Sequence, residues 1–177
     1  MSLPPPRRYR SISLLVFGLV TITMVLFAVR RDRLVKPGQT LQFDDFFFTI
    51  RDVTRSNPLE SSRDQASRVV EYVVTITVDN RALRVPFRFS NTALAIVDQK
   101  EGHRYYVNNA AQKAHDEASG TSSADALVLK AGESATRDYV FRVPAKVAAP
   151  RMRIAPGGWT GLIIDRVLTG SKEFQLP

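Results

Sequence analysis

No cysteine occurs anywhere in the sequence. That excludes disulfides, thiolate metal ligands, a cysteine nucleophile and a lipid-modified cysteine, so burial alone must hold a fold together. It leaves the redox compartment open. Histidine is nearly as scarce, with His103 and His115 the only two. Their spacing matches no zinc site, even with Asp98 or Asp116 added, and the stretch from Asp98 lacks the alternating oxygen ligands of a calcium loop. There is no Gly-x-Ser-x-Gly elbow, and a serine triad would have to recruit one of those two histidines, both in stretches that read as loops. Asp44 and Asp45 are adjacent, so on a strand they point to opposite faces and cannot work as a carboxylate pair. No repeat recurs at a fixed period. The expectation from these absences is a protein without enzymatic activity, cofactor or metal.

Acidic residues are in the minority, and the formal charge of +8 invites a nucleic-acid reading until it is partitioned. Residues 1–36 hold Arg7, Arg8, Arg10, Arg30, Arg31, Arg33 and Lys36 against Asp32 alone. The remaining residues are close to neutral, with 18 basic and 16 acidic side chains once those are subtracted from the totals of 25 and 17. The excess flanks one apolar stretch, where it suits anionic lipid head groups and not a phosphate backbone, so no nucleic-acid partner is expected.

That stretch, Ile12 to Val29, contains no ionisable side chain. As a helix rising 1.5 Å per residue it covers roughly 27 Å, close to the hydrocarbon thickness of a bilayer. A cleavable secretory signal is the rival reading. The apolar run is too long for one, and its exit, Phe27-Ala28-Val29-Arg30-Arg31, offers arginine where small residues are needed for cleavage. The helix has no buried charge and no Gly-xxx-Gly pair, which favours plain anchoring over conduction or specific helix pairing. The expected organisation is a short basic cytoplasmic tail (1–11), a transmembrane anchor (12–29), a juxtamembrane linker (30–38) and one folded domain (39–177).

Beyond Gly38 the pattern changes to short stretches of period two, rich in β-branched and aromatic residues. The clearest is Val69 to Val78, where Val70, Tyr72, Val74, Ile76 and Val78 share one face. Phe46, Phe48 and Ile50 alternate likewise. Val85, Phe87 and Phe89 do so next, with Pro86 placing that strand at an edge or bend. Leu94–Val97 and Tyr105–Val107 flank a glycine-containing hairpin connection, Ala110–Ala118 has helix-forming composition, and further strands are expected at 139–143, 151–154, 162–168 and 174–176. Eight or nine short strands with little room for helix predict an all-β, antiparallel sandwich.

Gly38 opening the first strand, Val78-Asp79-Asn80, Leu94-Ala-Ile-Val-Asp98 followed by Gly102 and Tyr105 or Tyr106, Leu129-Lys-Ala-Gly132-Glu133, and Val140-Phe141-Arg-Val143-Pro144 recur in a fixed order. In that order the chain resembles the telokin-like, immunoprotective-antigen type of extracellular immunoglobulin-like domain, found in bacterial lipoproteins and membrane proteins and largely of unknown function. The resemblance implies an immunoglobulin-like sandwich outside the cytoplasm and brings no catalytic residues.

Three aromatic residues stand out as interaction candidates. Tyr105 and Tyr106 cannot both face inward on a strand, and Trp159 lies in Gly157-Gly158-Trp159-Thr160-Gly161, too glycine-rich for a regular element. The blander reading packs Trp159 under its loop and the outer tyrosine along the sheet. Arg151 and Arg153 share a strand face and are expected to be solvated. The function expected is a single-pass, membrane-anchored, extracytoplasmic binding module for an unknown protein or cell-envelope partner. A structural or assembly subunit of a membrane complex is the alternative. The fragment from Gly38 onward should fold alone and give a β-dominated circular dichroism spectrum; a helical spectrum would refute the sandwich.

Overall fold

The computed structural model describes residues 33–56, 68–121, 123–155 and 172–176. The expected tail and anchor, the flanking Arg7, Arg8, Arg10, Arg30 and Arg31, the strand expected at 162–168 and Trp159 lie outside those residues. Among the described residues no helix is long and apolar enough to cross a membrane.

Eleven strands and one α-helix are found there: β1 (Arg33–Val35), β2 (Thr40–Phe43), β3 (Phe46–Arg55), β4 (Val69–Asn80), β5 (Phe87–Ser90), β6 (Leu94–Val97), β7 (Arg104–Tyr106), α1 (Asn109–Ser119), β8 (Ala126–Leu129), β9 (Ser134–Pro144), β10 (Arg151–Ile154) and β11 (Lys172–Gln175). They assemble into a five-stranded sheet in the order β1-β11-β10-β6-β7, a four-stranded sheet β2-β3-β4-β9 and a two-stranded ribbon β5-β8. One apolar cluster draws on all three: Phe48, Ile50, Val74 and Ile76 from the first half of the chain, Phe87 and Phe89 from the ribbon, and Ile96, Met152 and Phe174 from the five-stranded sheet. The protein is a β-sandwich.

The period-two stretch at 69–78 is the centre of the four-stranded sheet. β4 pairs with β3 on one side and β9 on the other, and Val70, Tyr72, Val74, Ile76 and Val78 are all buried. At its end Asn80, buried, uses its side chain as a clamp: Oδ1 accepts from the Ala82 N–H at 3.1 Å, and Nδ2 donates to the carbonyls of Val85 at 2.9 Å and Lys130 at 3.0 Å. Asp44 and Asp45 form the tight turn between β2 and β3, with Asp44 at a φ of 53°, instead of lying on a strand. The helix expected at 110–118 is present. Asn108 caps it by accepting from the Ala111 N–H at 3.0 Å, and Gly120, in the left-handed region at φ 69°, ends it.

Two expectations about strands need revision. The sandwich is not wholly antiparallel, because β1 runs parallel to β11. That β1 is a strand at all was hidden, since a three-residue segment carries no period and becomes a strand only through a partner distant in sequence; it lies inside the stretch expected as linker. A turn at Lys36–Gln39, closed by the Gln39 N–H on the Lys36 carbonyl at 3.1 Å, separates β1 in one sheet from β2 in the other.

One side of the sandwich is closed. Val107 bridges to Phe141, the Asn108 N–H donates to the Val140 carbonyl at 2.9 Å, and α1 follows along β9. Gln112 on α1 acts there as a strand would: its Nε2 donates to the Asp138 carbonyl at 2.9 Å and its Oε1 accepts from the Val140 N–H at 2.9 Å.

The outer face of the four-stranded sheet is polar, with Thr40, Thr49, Thr77 and Thr136 in register across all four strands. Their hydroxyls pair at 2.8 Å, Thr40 with Thr49 and Thr77 with Thr136. Thr75 on that face donates to Asp138 Oδ1 at 2.7 Å. Truncating fully buried Val74 or Ile76 to alanine should cost about 2–4 kcal/mol. Thr75→Ala, which the alternation alone would rank as nearly neutral, should cost about 1 kcal/mol because the hydroxyl bond is lost. Urea unfolding measures all three, and equal losses would mean the register is wrong.

Candidate functional site

Tyr105 and Tyr106 sit on β7 and point to opposite sides, as the alternation requires. Tyr105 faces inward opposite Ile96 and packs against the core, whereas Tyr106 stays 50% exposed opposite Ala95. Following the register from Tyr106 across the sheet gives one row on the outer face: Tyr106 on β7, Ala95 on β6, Arg153 on β10, Glu173 on β11 and Leu34 on β1. A second row alongside holds Arg104, Val97, Arg151 and Gln175.

Glu173 organises this face. It belongs to the outer row yet its side chain is only 5% exposed. Oε1 accepts from Arg153 Nε at 3.1 Å and from its NH2 in a second, short bond. Oε2 accepts from Gln99 Nε2 at 3.0 Å and lies 3.5 Å from Arg151 NH1. The expectation of solvated arginines at 151 and 153 is therefore overturned: both converge on one buried carboxylate. Burying a carboxylate is tolerable only with this degree of satisfaction. The pairing also fixes two long side chains that would otherwise lose rotamer freedom on meeting a partner. Two arginines against one glutamate leave the cluster positive, and Arg104, exposed, adds a cation with no ion pair among the described residues.

The residues weighed for metal or acid–base chemistry are engaged elsewhere. Asp98 Oδ1 accepts from the Lys100 and Glu101 N–H groups at 2.9 and 3.3 Å, holding the turn that Gly102 completes at a φ of 72°. His103 is exposed and pairs with Glu101 at 3.1 Å. His115 lies on α1 and not in a loop, with Nε2 3.0 Å from Asp138 Oδ2. A histidine–aspartate pair invites comparison with a triad, but the hydroxyls beside it point away from the ring. Thr75 donates to the aspartate, and Ser119 donates to the backbone carbonyls of His115 and Asp116 at 2.9 and 3.2 Å. Asp116, buried, accepts from Gln112 Nε2 at 2.8 Å and Arg137 NH2 at 3.1 Å. Among the described residues no three His, Asp or Glu side chains gather as metal ligands would.

Sequence reasoning missed Glu173, because its partners are brought to it by pairings that no local pattern encodes. Apolar exposure was missed too: Leu83 is 93% exposed, Val85 58% and Val128 63%, on the loop after β4 and on the neighbouring β8.

No family model matches the sequence, and no curated protein matches it. Solved structures do resemble it. The yjhA protein from Bacillus subtilis aligns with a TM-score of 0.52 at 14% identity, over 81% of this chain and 100% of that one. At that identity the likeness concerns the fold alone. The secreted protein MPT63 from Mycobacterium tuberculosis aligns with a TM-score of 0.47 at 14% identity, over 82% of this chain and 98% of that one. An uncharacterized β-sandwich protein from Clostridium difficile gives 0.45 at 8% identity, over 83% and 97%.

Beside α1, Tyr139 is fully buried with its ring edge-on to Phe89, and its hydroxyl has no hydrogen-bond partner among the described residues. Burial pushes its pKa up to about 12, with Arg137 opposing and Asp116 adding to the rise. The unfolded chain would ionise near 10, so this contribution to stability is complete below pH 10 and is lost as pH climbs through the folded value, on the order of 3 kcal/mol. Tyr139→Phe should flatten that alkaline loss without weakening the fold at pH 7. Urea unfolding across pH 8–12 checks it, and an unchanged alkaline loss in the variant would overturn the assignment.

Proposed function

We propose that the chain is a non-enzymatic binding module, held outside the cytoplasm by a single-pass anchor at residues 12–29, which meets its partner through the outer face of the five-stranded sheet. The observation that carries the reading is the row in which half-exposed Tyr106 stands in register with Arg153, which buried Glu173 locks together with Arg151 of the neighbouring row. Exposed tyrosine and pre-ordered arginine are the residue types that concentrate binding energy at interfaces. Their positive balance suits a protein or cell-envelope polymer bearing carboxylates or phosphates. The uncharged apolar run supports the anchor, and the resemblance to the telokin-like, immunoprotective-antigen type supports an immunoglobulin-like domain outside the cytoplasm, in the periplasm or beyond the cell.

A second reading has its own observation. Leu83, Val85 and Val128 expose apolar surface that a permanent partner would cover, as an assembly subunit of a membrane complex requires.

Two measurements test the proposal. Protease added to intact cells, or to spheroplasts where an outer membrane intervenes, should remove residues 37–177 while a cytoplasmic marker survives; a protected domain would overturn the orientation. Copurification after mild detergent extraction should yield a partner that Tyr106→Ala loses while the variant's melting temperature holds. A stoichiometric complex indifferent to Tyr106 but lost with Leu83→Asp would favour the subunit.

A further inference from the structure

Among the described residues the sandwich is closed where β7 and α1 meet β9, and on the opposite side β1 and β2 are the outer strands. On the side of β1 and β2 a cleft of about 520 Å³ runs between Lys36, Arg51, Asp52, Val53, Gln175 and Leu176. A bulge makes it. Ile50 opposes Ile76 on β4 and Asp52 opposes Thr75, which leaves Arg51 as the extra residue. Bulges of this kind re-aim side chains. Here Arg51 and Asp52 are both exposed, beyond the point where β2 stops covering β3 at Thr49. Arg51 Nε donates to Thr77 Oγ1 at 3.1 Å, which steadies the guanidinium, and the Lys36 N–H donates to Gln39 Oε1 at 3.0 Å in the adjoining turn. Neither cation has an ion pair among the described residues. Asp52, the one acid in the lining, accepts from the Thr54 hydroxyl at 3.3 Å. Two basic residues, one of them carrying a planar fork suited to phosphate oxygens, thus line a cleft whose other walls include Val53 and Leu176.

The cleft's position says which phosphate it meets. β1 begins at Arg33, so the anchor proposed at 12–29 leaves only Arg30, Arg31 and Asp32, at most about 10 Å of extended chain, before the domain starts. β1 lies along the outer edge of its sheet, and the cleft opens beside it. We propose that this cleft is a phospholipid headgroup site: Lys36 and Arg51 hold a phosphate of the bilayer to which the domain is tethered, and seat the domain on its β1 edge. The inference rests on reading residues 12–29 as an anchor. Tethering supplies a high local concentration of headgroups, so a site too weak to hold a free ligand is occupied.

The absence of cysteine makes the test clean, because one introduced thiol is the only labelling site. The full chain is reconstituted in vesicles of phosphatidylglycerol and phosphatidylcholine containing a nitroxide-headgroup lipid. A fluorophore is placed at Thr54→Cys, past the bulge, or at Lys113→Cys on α1 at the far side. The chain should float with the vesicles, and quenching should be several-fold stronger at position 54 than at 113. Lys36→Glu alone should weaken the quenching at 54, and Lys36→Glu with Arg51→Glu should bring it to the level at 113, both variants melting as the parent does. Equal quenching at the two positions in a floating parent chain would overturn the site and leave the anchor standing. A chain that does not float would overturn the anchor and the site with it. A response at 54 to inorganic phosphate in detergent micelles as large as the response to lipid would replace the headgroup by a free anion.

Discussion

Strand β4, at twelve residues the longest among the described residues, is flanked along nearly its whole length by β3 and β9, and its register therefore decides what both neighbours can do. A slip of one residue against either partner would turn Val70, Tyr72, Val74, Ile76 and Val78 outward and bring Glu71, Thr75 and Asp79 into the core. The cost of that exchange pins the strand. Once it is pinned, Asn80 falls at the point where it can hold the loop after β4 and the turn before β9 together. The threonines fall into line across four strands for the same reason. The core and the polar outer face are thus two readings of a single alternation.

The two outer faces are built to different plans. On the four-stranded sheet a row of threonines pairs hydroxyl to hydroxyl, with the Glu71–Arg142 ion pair further along β4 and β9 and Arg51 donating to Thr77. On the five-stranded sheet a carboxylate is buried and two arginines are drawn in around it. Near α1 the same device appears again with Asp116, Arg137 and Gln112, where its effect is to fasten the helix to β9. Glu173 holds two arginines and Gln99 and fastens no helix, which is why its face, and not the helix, is the one read as an interface.

How far the sequence reveals this depends on the range of the interactions. The β4 alternation, the helix after Asn108 and the inward and outward placement of Tyr105 and Tyr106 are local, and each is readable from a few residues. The arginines at 151 and 153 read as solvated because their partner lies on β11, and nothing between residues 153 and 173 announces that those strands pair. The pairing of His115 with Asp138 is not legible because the helix-forming composition at 110–118 gives no sign of the carboxylate on β9. Trp159 stays an expectation, outside the described residues.

Gln112 has a consequence for how copies of the protein coexist. Its amide fills the donor and acceptor positions on β9 that an added strand would otherwise take, and it can do so only while α1 is folded and capped by Asn108. Losing that cap would cost more than a helix turn. It would bare an outward edge of the sheet, and an unguarded edge is where one molecule begins to recruit the next.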